Sequence, residues 1–398
     1  MQVKLCLLVV LIVGLVAPNA VAQKQPRVRL KAYTTVKAAP GARSVAREGV
    51  PSLPLFDYTV VSSRDGNTYT GTMVGQSPFE PGSGTSNVTA QIIPIIITTN
   101  SVATGESPHG VLSTTPGVTT FNPTAADNNC LSSPNNVPLN VYEQSPIFNS
   151  FDFQMGGTDV GTTQYVDAFQ RANFWSLVGG TDYHVLLNAT VLPALKFNIP
   201  ANRGLAIPST FFGSCGPLAI VNLVYWDRIV TGQVLPLLAS RGVNLSTLPI
   251  FLFYNTVLSE GNPTNLNLCC VLGYHGATEN AQTYSPQDFD TSGLFGPTIH
   301  DTSIAAHEVA EWMNDPFGDN PVPAWGHIGQ QPGCQGNLEV GDPLTGTNFP
   351  DVVGTNGFTY HLQELVFFSW FYGAPSIAVD GWFSDNNTFT SDAGPVCQ

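Results

Sequence analysis

In a chain where only 11% of residues are charged, His307, Glu308, Glu311 and Asp315 fall within the single stretch HEVAEWMNDP. At about 100° per residue, an α-helix gathers these four on one arc of roughly 100° and places Ala305, Ala306, Val309, Ala310, Trp312 and Met313 opposite. A His and a Glu four residues apart can grip one metal ion, and the residue after the His stays free to act as a base. The spacing is H-E-x-x-H with Glu311 in place of the second His. The competing reading is an amphipathic helix that turns a polar face to water.

Other polar groups could join the pair. In Leu338-Glu339-Val340-Gly341-Asp342 two carboxylates bracket a glycine; Glu339 is the expected third ligand, with Asp342 orienting His307 or binding a structural cation. His327 competes with Glu339 as a ligand, and His275, beside the adjacent Cys269 and Cys270, could line the cleft. His109, His184 and His361 have no partner visible in sequence. Zn²⁺ held by three such groups keeps a position open for water and lowers its pKa towards about 7. Glu308 is then the general base. Two carboxylates in the set move preference towards Mn²⁺ or Ca²⁺. Serine-hydrolase chemistry is a poorer fit, because no G-x-S-x-G occurs.

Elements must place these groups. Lys4, the apolar run Leu7–Val16 and Ala20-Val21-Ala22 read as a signal peptide over residues 1–22, implying secretion. Residues 23–55 are basic and rich in Ala and Pro, and read as a disordered leader or pro-segment. Beyond residue 48, only Arg64, Arg171, Lys196, Arg203, Arg228 and Arg241 stand against all the acids but Glu48; this argues against a nucleic-acid surface. No later apolar run reaches the ~20 residues of a membrane span.

Residues 56–398 read as one α+β domain, a mixed sheet packed with a few helices, with the metal site in 268–370. Tyr58–Ser62 and Thr68–Met73 flank a hairpin turn, Thr89–Thr99 reads as a buried strand broken at Pro94, and Asp301 or Thr302 can cap the motif helix. Once Cys6 leaves with the signal, six cysteines remain, an even number that suits disulfides. The adjacent Cys269 and Cys270 are expected to bond to different partners.

HEVAE followed by Glu339-Val340-Gly341-Asp342 resembles a zincin-type metallopeptidase motif in a variant of secreted microbial proteins. Cys269-Cys270-Val271-Leu272-Gly273-Tyr274-His275-Gly276 is loosely similar to a strand of the plant phosphate-induced (EXORDIUM-like) extracellular proteins. The first resemblance implies a zincin-like active-site helix with His307, Glu311 and Glu339 as zinc ligands and Glu308 as base. The metzincin continuation HxxGxxH is absent: Asn314 and Phe317 stand at its Gly and last His. Two functions are carried forward. One is a secreted zinc-dependent metallohydrolase, a peptidase acting on a peptide or protein substrate. The other is a non-catalytic extracellular protein that meets a cell-wall or matrix component through a degenerate or structural metal site.

Overall fold

The computed structural model describes residues 30–39, 42, 52–326, 334–392 and 397. The expected signal segment, most of the expected leader and His327 lie outside these residues.

The expected leader contributes the first strand, β1 (Tyr33–Lys37). The expectation of disorder over 23–55 therefore fails for this piece: β-branched and aromatic residues in YTTVK pair with the sheet despite their basic surroundings. Then come the predicted hairpin, β2 (Leu55–Val61) and β3 (Thr68–Val74), and the long β4 (Thr85–Glu106).

β4 is not broken at Pro94. Along one side it pairs with β8 (His184–Val191) as far as Ile92 and with β9 (Leu195–Ile199) from Ile95 onwards. Pro94 sits where one neighbour hands over to the next, so the ladder asks no N–H of it there.

β5 (Leu112–Phe121) also pairs with β4, and β6 (Phe151–Met155) with β7 (Thr158–Thr163). The remaining sheet strands are β10 (Gly204–Ile207), β11 (Leu218–Asn222), β12 (Thr247–Tyr254), β13 (Thr256–Ser259), β14 (Cys269–Ala277) and β15 (Thr283–Phe289). Their order is β14-β13-β11-β10-β4-β12-β15, and β15 pairs back onto β14, closing a seven-stranded barrel. β12 through β15 are buried along their whole length. For β12 to β14 this matches their largely apolar sequence, whereas β15, TYSPQDF, sits in a stretch that reads as a loop and is a strand because its polar residues are paired within the barrel. The mixed sheet with few helices agrees with the sequence; the closure was not visible there.

The motif helix is Ser303–Asn314. Thr302 stands at its N-cap without the side-chain cap expected of Asp301 or Thr302; Asp301, at φ 29°, accepts the Thr302 N–H instead. The apolar side, Ala305 to Met313, packs in the largest core cluster with Phe169 of the helix Tyr165–Asn173 and with Phe367 and Trp370 near the C-terminus. A small hairpin follows, β16 (Pro321–Gly326) and β17 (Cys334–Asn337).

Cys130 pairs with Cys215, and Cys334 with Cys397. Cys269 and Cys270 are bonded to each other, against the sequence expectation. Among the described residues the other four cysteines are paired among themselves.

Candidate metal centre

The helix Ser303–Asn314 shows no polar face to water: every residue in it is buried. His307 and Glu308 are 0% exposed and Glu311 is 1% exposed, so the amphipathic surface-helix reading is overturned. The polar arc faces other polar groups, brought close by two glycines. A Cβ at Gly273 on β14 would lie 2.7 Å from Ile304 Cγ2 and 2.9 Å from Glu308 Cγ, and one at Gly341 would lie 2.6 Å from the His307 ring. Only bare backbone allows this approach.

His307 is held at both ring nitrogens. The Gln363 amide donates to Gly341 O at 2.6 Å, which turns its Oε1 to His307 Nδ1 at 3.0 Å. Nδ1 therefore carries the hydrogen. Nε2 points at Glu311 Oε1 (2.9 Å), Asp342 Oδ1 (3.4 Å) and the Thr34 hydroxyl (2.8 Å). Thr34 also donates to Asp342 Oδ1 at 3.0 Å. It lies on β1 at the point where the parallel register with β14 shifts, between Tyr33↔Val271 and Thr35↔Tyr274. Glu311 Oε1 accepts the Gly341 and Asp342 backbone N–H groups, each at 3.2 Å.

His275, on β14, faces the other side of Glu311. Its Nε2 lies 3.0 Å from Asp315 O and must donate to that carbonyl, leaving Nδ1 as a bare lone pair. Nδ1 is 3.5 Å from Glu308 Oε2 and 3.7 Å from Glu311 Oε2. Glu339 accepts from Asn337 through Oε1 at 2.6 Å, while its Oε2 stands 4.0 Å from His275 Nε2. His275 Nδ1, both Glu308 carboxylate oxygens and Glu339 Oε2 are buried outside hydrogen-bond geometry, with the His275 backbone N–H beside Glu308 and Glu311 facing Glu339.

Two sets of potential ligand atoms thus converge, each within 4.8 Å: His307, Glu311 and Asp342, and His275, Glu308 and Glu311. Asp342 rather than Glu339 completes the set around His307.

The electrostatics follow from burial. Burial lowers His275 to about 4, so it is neutral. Burial also works against charge on His307, but the Glu311 carboxylate and the hydrogen bonds to Asp342 and Glu311 outweigh it and hold His307 well above the ordinary histidine range. Burial and then the Glu311 charge push Glu308 and Glu339 well up. Burial raises Glu311 too, against the opposing pull of His307. Among the described residues no lysine or arginine pairs with Glu308, Glu311 or Glu339. Carboxylates buried this deeply are costly unless paired, protonated or bound to a cation.

The donors fit a divalent cation: imidazole and carboxylate atoms converge, and each histidine has its far N–H tied to a carbonyl oxygen, the arrangement that orients metal-binding histidines. Thr34 and Gln363 were not foreseen. Thr34 carries no signal in a basic leader. Gln363 does carry one, since a polar residue inside the apolar run Tyr360–Tyr372 must be hydrogen-bonded when buried.

No known family, no characterised protein and no solved structure matches the chain. Among the described residues no helix is long and apolar enough to cross a membrane.

Proposed function

We propose that the chain is a metal-dependent hydrolase that works outside the cell on a peptide or protein substrate. Zinc is the first choice of cation, and manganese or calcium suits the carboxylate-rich set. The observation that carries this reading is the convergence of His307, Glu311 and Asp342 ligand atoms within 4.8 Å beside the carboxylate of Glu308, buried outside hydrogen-bond geometry. A bound divalent ion supplies Lewis-acid polarisation of a carbonyl and an acidified water.

The chain's own residues do the rest. Gln363 holds His307 in the tautomer that offers Nε2. The Gly341 and Asp342 amides fix Glu311. Glu308, its pKa raised by burial, takes a proton and returns it to the leaving amine. Thr34 stands in the way of a substrate, so on this reading the segment bearing β1 is a pro-segment that must withdraw.

A second reading is favoured by one specific feature. All the candidate ligands are at most 3% exposed and Thr34 closes the His307 side, whereas catalytic sites keep a position open. That describes a structural metal site in a non-catalytic protein of the wall or matrix.

Peptide hydrolysis separates the two. The intact chain and a preparation trimmed of its leader are loaded with Zn²⁺ or Mn²⁺ and compared with Glu308→Gln. The hydrolase reading expects cleavage after trimming and its loss in Glu308→Gln with metal retained on His307. Metal-loaded, trimmed protein that cleaves nothing sinks it in favour of the structural site.

A further inference from the structure

We propose that the buried cluster is a two-ion centre in which Glu311 bridges a first divalent cation, held by His307 and Asp342, to a second one held by His275 and Glu308. The inference deepens the hydrolase reading at the same site and rests on its first ion.

A single ion among His307, Glu311 Oε1 and Asp342 leaves a second set untouched. His275 Nδ1 and Glu308 Oε1 and Oε2 would remain buried outside hydrogen-bond geometry. Unmet polar atoms at this density are rare in folded proteins, because each leaves a desolvated group uncompensated. His275 is built as a ligand: its Nε2–H is tied to the Asp315 carbonyl, and its bare Nδ1 points into the space shared with Glu308 and Glu311. Glu308 and Glu311 each turn an Oε2 towards that nitrogen.

Glu311 divides its two oxygens between the sets. Oε1 lies 2.9 Å from His307 Nε2, and Oε2 lies 3.7 Å from His275 Nδ1. A carboxylate disposed this way spans ions about 3.5–4 Å apart, the separation found in two-metal hydrolytic sites. Glu308 can bind through the Oε2 that faces His275 and keep Oε1 as the proton acceptor. Carboxylate-rich donors with one imidazole per ion suit Mn²⁺ well, which makes it a useful probe.

The test is titration of the chelator-treated full chain with Mn²⁺, counting bound ions and recording the electron paramagnetic resonance spectrum. Two equivalents and a spin-coupled signal are expected in the wild type. His275→Gln should bind one ion and give an uncoupled signal, and so should Asp342→Asn. If either variant does not fold, as judged by near-ultraviolet circular dichroism, the wild-type stoichiometry and coupling decide the matter. One equivalent with an uncoupled signal overturns the second site and leaves the hydrolase reading standing. No bound ion overturns both.

Discussion

Gly341 lies against the imidazole of His307 so closely that a methyl group on it would sit 2.6 Å from ring atoms Cγ and Nδ1. This contact joins the two halves of the site, the motif helix and the EVGD turn, and it depends on the absence of one carbon. Its φ is −88°, which any residue adopts, so space alone requires the glycine. Gly341→Ala is expected to push His307 out of line and weaken Zn²⁺ binding by about 10–100-fold, the usual effect of disturbing a ligand's support. Gly336→Ala, whose added methyl would meet nothing closer than 3.9 Å, should bind as the wild type does. Isothermal titration of both variants checks this.

Gln363 supports the same histidine from its other nitrogen. Gln363→Met keeps the side-chain volume but removes the acceptor for His307 Nδ1–H and the donor to Gly341 O. Metal affinity should fall about 10–100-fold, and stability by about 1–3 kcal/mol for the polar groups left unmet. Urea denaturation measures the second effect and metal titration the first. Unchanged affinity would show that the amide does not set the tautomer.

Thr34 is the outer closure. Thr34→Val preserves shape while deleting the hydroxyl that bridges His307 and Asp342. Looser docking of β1 should follow, read as faster cleavage of the leader by an added protease and as a rise in the intact chain's peptide hydrolysis. If hydrolysis is equal in wild type and variant, Thr34 does not gate the site.

Away from the cluster, burial raises Asp288 well above the ordinary carboxylate range, with the Asp290 charge adding to it. Burial also raises Asp290 to about 7. The Asp288 Oδ2 atom has no partner. Acids with raised folded values hold protons that the unfolded chain has released, so the folded state binds more protons than the unfolded one between about pH 4 and pH 7. Stability contributed by this pair is therefore full below about pH 4 and declines as pH rises through the folded values. Asp288→Asn can still accept the Thr256 N–H and removes the burial cost of the charge. It should flatten the decline and add on the order of 1–3 kcal/mol above pH 7. Thermal melting from pH 4 to pH 8 tests the sign.

The local patterns carried far in this chain. The hairpin at Arg64-Asp65-Gly66-Asn67, the helix over His307–Asn314 and the strands around Phe251 and Val271 follow from alternation, turn residues and apolar runs. What the pattern could not supply was pairing between distant segments. Whether Tyr33–Lys37 is a strand depends on the free edge of β14, and the partner of Cys269 depends on where Cys130, Cys215, Cys334 and Cys397 end. His307, Glu311 and Glu339 as ligands, Glu308 as base and Asp342 as a supporting group stood out because acids are scarce and clustered there. Choosing between Glu339 and Asp342 needed the turn at Gly341 in three dimensions, since three residues of an irregular loop can point anywhere. The polar arc of the helix was legible, but its burial was not: an amphipathic pattern specifies two unlike faces and says nothing about what covers the polar one.

The central claim is that His307, Glu311 and Asp342 hold a cation. Its most direct measurement is the metal content of the full chain after equilibration with Zn²⁺ and removal of unbound ion, set beside Asp342→Asn treated in the same way. We predict at least one equivalent retained by the wild type and one equivalent fewer in the variant. A wild type that retains none, or a variant that retains as much as the wild type, would contradict the account.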